Sequence, residues 1–200
     1  MLKIKGENKM ATKRIQGFSN IHYARLLQDT KEGAKYEVPK ALEGAISINA
    51  EMEFSEFKAF ADDKCDILLN NFTGLSGELV LSGITGAEFK DLFGYEYELG
   101  MTKVKTDAIA PNLALMFECK FLDGGVRKYV LYNIVMSPAS ALTLQTKGEE
   151  IEETTFTINF TGIALANDEI YSFIDSRDES VDEEVLNGWY DQVQGIAIVE

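Results

Sequence analysis

The chain has 200 residues, with 33 acidic and 19 basic side chains and a net charge of −14. That length suits one domain, or one domain with arms, and is enough to bury the apolar surface a fold needs. The charge opposes tight binding to nucleic-acid phosphate, and no apolar run reaches the length of a membrane span.

The start, "MLKIKGENKMATKR", carries Lys3, Lys5, Lys9, Lys13 and Arg14. No apolar core follows them, so the segment does not read as a secretory signal. Met10 followed by Ala-Thr reads as an alternative start, which leaves residues 1–9 as an extension. Period-two alternation, the mark of half-buried strands, then dominates. "NIHYARLL" is a strand candidate and holds the single histidine, His22. In "GAISINAEM", Ile46, Ile48 and Met52 share one face. In "EFSEFKAFADD", Phe54, Phe57 and Phe60 recur every third residue, which fits a helix or an irregular strand. "GELVLSG" is a further strand.

"TGAEFKDLFG" predicts a short helix. Thr85 caps it with Glu88 three residues on, Phe89, Leu92 and Phe93 form its buried face, and Gly94 ends it in the left-handed conformation. In "NLALMFECKFL", Leu113, Leu115, Phe117, Cys119 and Phe121 align. Asp-Gly-Gly in "FLDGGVRKYVLY" predicts a hairpin into the strand "RKYVLYNIVM". "PASALTLQTKGEEIEETTF" reads as a longer hairpin, with Leu142 and Leu144 before its head and Ile151 and Phe156 after it. "TTFTINFTG" is the cleanest alternation in the chain. From Asp168 to the end, ten acids face one cation, Arg177, and "SVDEEVLNGW" is a weaker helix with Ser180 and Glu183 as capping box. The predicted fold is mainly β: an antiparallel sandwich or barrel with one flanking short α-helix. Residues 1–16 are expected as an N-terminal arm, 17–166 as the β-domain and 167–200 as an acidic C-terminal arm.

Catalytic patterns are sparse. His22 sits in a strand with no nucleophile elbow in the chain, and Cys65 and Cys119 lie in apolar stretches as expected free thiols in a reducing compartment. Zinc sites need close Cys or His pairs, which are missing. Asp62, Asp63 and Asp66 lack the alternation and glycine of a calcium loop. The cluster in "KGEEIEE" is the strongest candidate: Lys147, Gly148, Glu149, Glu150, Glu152 and Glu153. A flexible turn and threonines surround these acids, not the apolar walls that raise a carboxyl pKa. The expectation is therefore a polar hairpin that makes a contact or stays wet, with no catalytic, metal or cofactor role.

Taken in order, "GFSNIHYARLLQD", "GAISINAEME", "FKAFADDKCDIL", "GLSGELVLSGITGAEFKDLFGYE", "APNLALMFECKFLDGGVRKYVLYNIVMSPAS" and "LTLQTKGEEIEETTFTINFTGIAL" resemble the major tail proteins of long-tailed bacteriophages of Gram-positive hosts. "FKDLFG" and "TKGEEIEE" are the most telling pieces. The resemblance implies a structural virion protein with no catalytic residues and no cofactor. It implies a subunit of the tail tube, six to a ring, with inner sheets joined into one barrel and rings stacked to conduct DNA. Its partners would be copies of itself and other tail proteins, with DNA a passenger that an acidic lumen repels. Its location would be the virion tail, assembled in the host cytoplasm. The acidic hairpin would then face the lumen or the next ring. The alternative is a β-sandwich carbohydrate- or protein-binding module. It would need an aromatic platform, which Tyr95, Tyr97, Tyr129 and Tyr132 supply poorly, because Tyr129 and Tyr132 fall on opposite strand faces. A carboxylate hydrolase is the third reading, with no acid pair to nominate.

Overall fold

The computed structural model describes residues 13–61, 64–139 and 154–197. The order is β1 (Ile15–Thr30), β2 (Gly33–Tyr36), β3 (Lys40–Ala41), β4 (Ala45–Ala61), β5 (Lys64–Leu81), α1 (Gly86–Phe93), β6 (Glu96–Glu98), β7 (Met101–Lys103), β8 (Asn112–Phe121), β9 (Val126–Pro138), β10 (Phe156–Gly162), β11 (Tyr171–Asp175) and α2 (Glu183–Asn187). Among the described residues, nine strands form one sheet in the order β2-β1-β8-β9-β10-β5-β4, with β3 on β1 and β11 on β9, and every pairing is antiparallel. The fold is mainly β, as predicted.

One core draws on both ends of this sheet. Ile21 and Tyr23 of β1, Leu113 and Leu115 of β8, and Ile134 and Met136 of β9 meet Leu79 and Leu81 of β5 and Ile158 and Phe160 of β10. The sheet therefore folds over itself, and α1 closes the gap with buried Leu92 and Phe93. α1 is built as its sequence predicts. The Thr85 hydroxyl accepts from the Glu88 N–H at 3.3 Å, and the Glu88 carboxylate accepts from the Thr85 N–H at 2.6 Å. Gly94 ends it at φ 72°, and a Cβ there would meet the Ile109 carbonyl oxygen at 2.1 Å, so only glycine fits.

β8 is central, and its alternation is hidden because both of its faces are covered. Leu113, Leu115 and Phe117 point into the first core. Ala114 and Met116 point the other way, into a second cluster with Ala24, Val130, Tyr132, Leu165, Trp189 and Val193. The acidic C-terminal stretch supplies the cover. β11 adds to β9, Trp189 is 2% exposed, and the Ala34 N–H donates to the Ala197 carbonyl at 3.1 Å. α2 begins later than its sequence predicts. The Ser180 hydroxyl donates to Asp178, so Asp182 takes the cap, accepting from the Glu184 and Val185 N–H groups.

The Asp-Gly-Gly hairpin forms as predicted between β8 and β9, with Gly124 at φ 89° and the Gly125 N–H donating to the Asp123 carboxylate. β9 and β10, which flank the acidic "KGEEIEE" segment, pair from Ile158↔Pro138 to Gly162↔Ile134.

Two substitutions test this description in urea denaturation. Trp189→Ala empties a buried site and should cost about 3–5 kcal/mol, which a C-terminal stretch lying free in solvent would not show. Thr85→Ala should cost about 1 kcal/mol through the lost cap.

Candidate functional site

The predicted site residues Lys147, Gly148, Glu149, Glu150, Glu152 and Glu153 lie outside the described residues, as do Asp62 and Asp63. Among the described residues, no three His, Cys, Asp or Glu side chains are grouped to hold a metal ion. His22 stacks on Tyr190 with ring centroids 4.3 Å apart, and its Nδ1 lies 3.1 Å from the Asn20 carbonyl oxygen. That contact pins the C-terminal segment to β1. Cys119 is a half-buried free thiol whose pKa burial pushes up.

The four tyrosines do not make one platform. Tyr132 is buried in the second cluster, its hydroxyl 2.6 Å from Ser172 Oγ and its pKa pushed up to about 12 by burial. Tyr129 lies on the first core's side, stacked on Phe117. Tyr95 stacks on Phe89 of α1, and Tyr97 packs over Gly86.

The least satisfied surface lies elsewhere. β4 and β5 pair along their whole length, from Ala45↔Leu81 to Ala61↔Lys64. β10 covers β5 only from Leu75 to Leu81. Beyond that, the two strands project as a ribbon with both faces open: residues 50–58 and 66–71 are all exposed. Among them Phe54, Phe57, Leu68 and Leu69 are each more than half exposed. Phe57 sits across from Leu69 on one face, and Phe54 across from Phe72 on the other, with rings 6.0 Å apart. The stretch that reads as helix or irregular strand from phenylalanines at every third position is thus strand, with Phe54 and Phe57 on alternate faces. The pairing also shifts register between Glu53 and Phe54 and again between Ala59 and Phe60, and such bulges sharpen the twist.

A two-stranded ribbon without a covered face is marginal in water. This one also ends the sheet. Among the described residues no strand pairs with the outer edge of β4, which runs 17 residues without a proline. Such an edge is open to pairing with another chain.

At the ribbon's base the sandwich is open. A groove of about 420 Å³ runs between β4 and the β8–β9 face, lined by Ile48, Met52, Leu75, Phe117, Tyr129 and Leu131. Its aromatic wall continues from Tyr129 to Phe173, 5.6 Å apart, and Arg127 lies over Phe173 at 4.9 Å. Arg127 and Arg177 both lie over the Phe121 ring, and both donate to Asp175, at 2.8 and 2.7 Å. These guanidinium hydrogen bonds, chiefly from Arg177, hold the Asp175 carboxyl far below the usual carboxylate range. The pair of arginines fastens β11 and the following turn to β9 and so fixes one wall of the groove. Sequence reasoning missed both features. The available signal was two adjoining apolar runs, "EMEFSEFKAF" and "KCDILLNNF", with large apolar residues at both odd and even positions.

No family model matches the chain, and no curated protein matches it. Among solved structures it is similar to the anti-feeding prophage cap, a tube-terminating cap determined by cryo-EM. The TM-score is 0.43 at 7% identity, over 78% of this chain and 89% of that one.

Asp175→Asn should cost about 1.5–3 kcal/mol at pH 7, since it removes a charged acceptor shared by two arginines. The folded pKa is depressed, so this stability is present above the unfolded carboxylate pKa of about 4 and is lost as pH falls below it. The gap in urea midpoints between wild type and variant should therefore hold from pH 7 to about pH 4, begin to narrow below that, and still be open at about pH 3.

Proposed function

We propose that this chain is a structural subunit of a phage tail tube. Six copies close a ring, rings stack, and the tube conducts DNA from capsid to host. One observation carries the reading: a long strand ribbon that leaves its own core, bears large apolar side chains on both faces and ends in an edge that no strand among the described residues pairs. A monomer gains nothing from such a ribbon, since exposed apolar surface costs about 25 cal/mol per Å² relative to its burial. In a ring, the β4 edge pairs with a neighbour's sheet and the ribbon faces are covered. The ordered resemblance of the sequence to major tail proteins supports the same reading.

In this role the partners are other copies and other tail proteins, the location is the virion tail, and assembly takes place in the host cytoplasm. No catalysis is assigned. The net charge of −14 suits a lumen along which DNA slides without adhering. Lys147, Gly148, Glu149, Glu150, Glu152 and Glu153 form a contact to the next ring or line that lumen.

Negative-stain electron microscopy with sedimentation over a concentration series tests this. Rings or hollow tubes of uniform width are the expected species. Replacing Phe57 and Leu69 together by serine removes two half-exposed apolar side chains and should weaken association at least ten-fold, while the melting temperature of the subunit stays unchanged. A strictly monomeric wild type at every concentration contradicts the proposal.

A further inference from the structure

The free edge of β4 lies between two unlike surfaces. Ile48, Ala50 and Met52 line the groove, facing Phe117 and Tyr129 across it. Strand alternation puts Asn49, Glu51 and Glu53 on the outer side, with Glu78 of β5 directly across from Asn49. The groove also touches Asn49, whose side chain bonds Glu51 on the outer side at 3.0 Å, so it reaches the main chain at the strand's edge. Glu51, Glu53 and Glu78 are exposed, and no cation among the described residues pairs with them.

A strand added to this edge has to alternate in the same way, apolar toward the groove and cationic toward the acids. Residues 2–5, "LKIK", have that pattern. With Leu2 and Ile4 over the groove, Lys3 and Lys5 fall on the outer side, two residues apart like Glu51 and Glu53. The stretch 140–153 does not fit, since it carries one lysine against four glutamates and would set acid against acid.

The point of entry into the domain favours the same occupant. The Leu122 N–H donates to the Arg14 carbonyl at 3.1 Å, and Ile15 pairs with Phe121. Cys119 and Phe117, on the groove's wall, stand two and four residues along β8 from Phe121. That is roughly 7–13 Å at the usual rise, and the opposite sheet lies about 10 Å across. The seven residues 6–12 reach up to roughly 25 Å when extended, so residues 2–5 reach the β4 edge of their own chain.

We propose that residues 2–5 pair with the β4 edge of the same chain, roof the groove with Leu2 and Ile4, and hold that edge closed until another copy displaces them. Four residues of strand make a weak cap on a 17-residue edge, so a longer strand from a neighbour outcompetes it. The cap guards the isolated subunit against indiscriminate edge pairing. The gating half of this inference rests on the self-assembly reading; the cap itself does not.

Amide exchange of the full chain, at a concentration where it is monomeric, tests the cap without requiring assembly. Leu2→Asp with Ile4→Asp should speed exchange of residues 48–52 at least ten-fold, and sedimentation velocity should show self-association at least ten-fold tighter. Lys3→Glu with Lys5→Glu should speed the same amides, and adding Glu51→Lys with Glu53→Lys should slow them again. The melting temperature of the domain should stay unchanged in the N-terminal variants. Exchange of residues 48–52 that is equal in wild type and Leu2→Asp with Ile4→Asp overturns the cap and leaves the tube reading standing. Faster exchange with unchanged association overturns the gating. Wild-type protection of these amides that disappears on dilution places the segment on a second copy and overturns the intramolecular cap. A wild type that never associates overturns the gating together with the tube reading, and the exchange result still decides the cap.

Discussion

The fold turns on a mismatch of strand lengths. β5 runs from Lys64 to Leu81 and β10 only from Phe156 to Gly162, so among the described residues, 64–74 of β5 have β4 alone beside them. Where β10 runs, the sheet closes over a core of Leu79, Leu81, Ile158 and Phe160, and α1 seals it. Where β10 stops, the sandwich opens into a groove and the β4–β5 ribbon leaves the body. Both the groove and the ribbon follow from that single difference.

The second constraint is the covering of the other sheet face. β8 is apolar at odd and even positions because Trp189, Leu165 and Val193 cover the side that a simple sandwich would leave wet. This arrangement absorbs the acidic C-terminal stretch into the domain as far as residue 197. Its carboxylates stay compatible with that packing because several have local work: Asp175 between two arginines, Asp182 at the α2 cap, Asp178 on Ser180. The sheet thus gains rigidity behind the groove, which lets an open end persist without collapse.

Much of the local structure was legible in the sequence. The Thr85–Glu88 capping box, Gly94 and the Asp-Gly-Gly turn are short-range chemistry, and each forms as read. The β10 alternation is visible because one of its faces is wet. The ribbon was not legible, because its phenylalanines lie on both faces and an alternation rule assumes one buried face. Ser180 misled for a local reason, since Asp178 competes for its hydroxyl. The attention drawn by the glutamates of "KGEEIEE" came from charge density, which marks solvation as readily as a site. The functional reading depends instead on exposed apolar residues, whose meaning appears only once strand lengths and burial are known.

Amide hydrogen exchange at concentrations below and above association tests the central claim most directly, namely that the ribbon exists to be covered by other copies. The account predicts that amides of residues 50–58 and 66–73 exchange faster than the β8 amides in the dilute subunit and become protected on association, while the β8 amides are protected throughout. Ribbon amides that exchange equally fast in the associated and the dilute protein would contradict it.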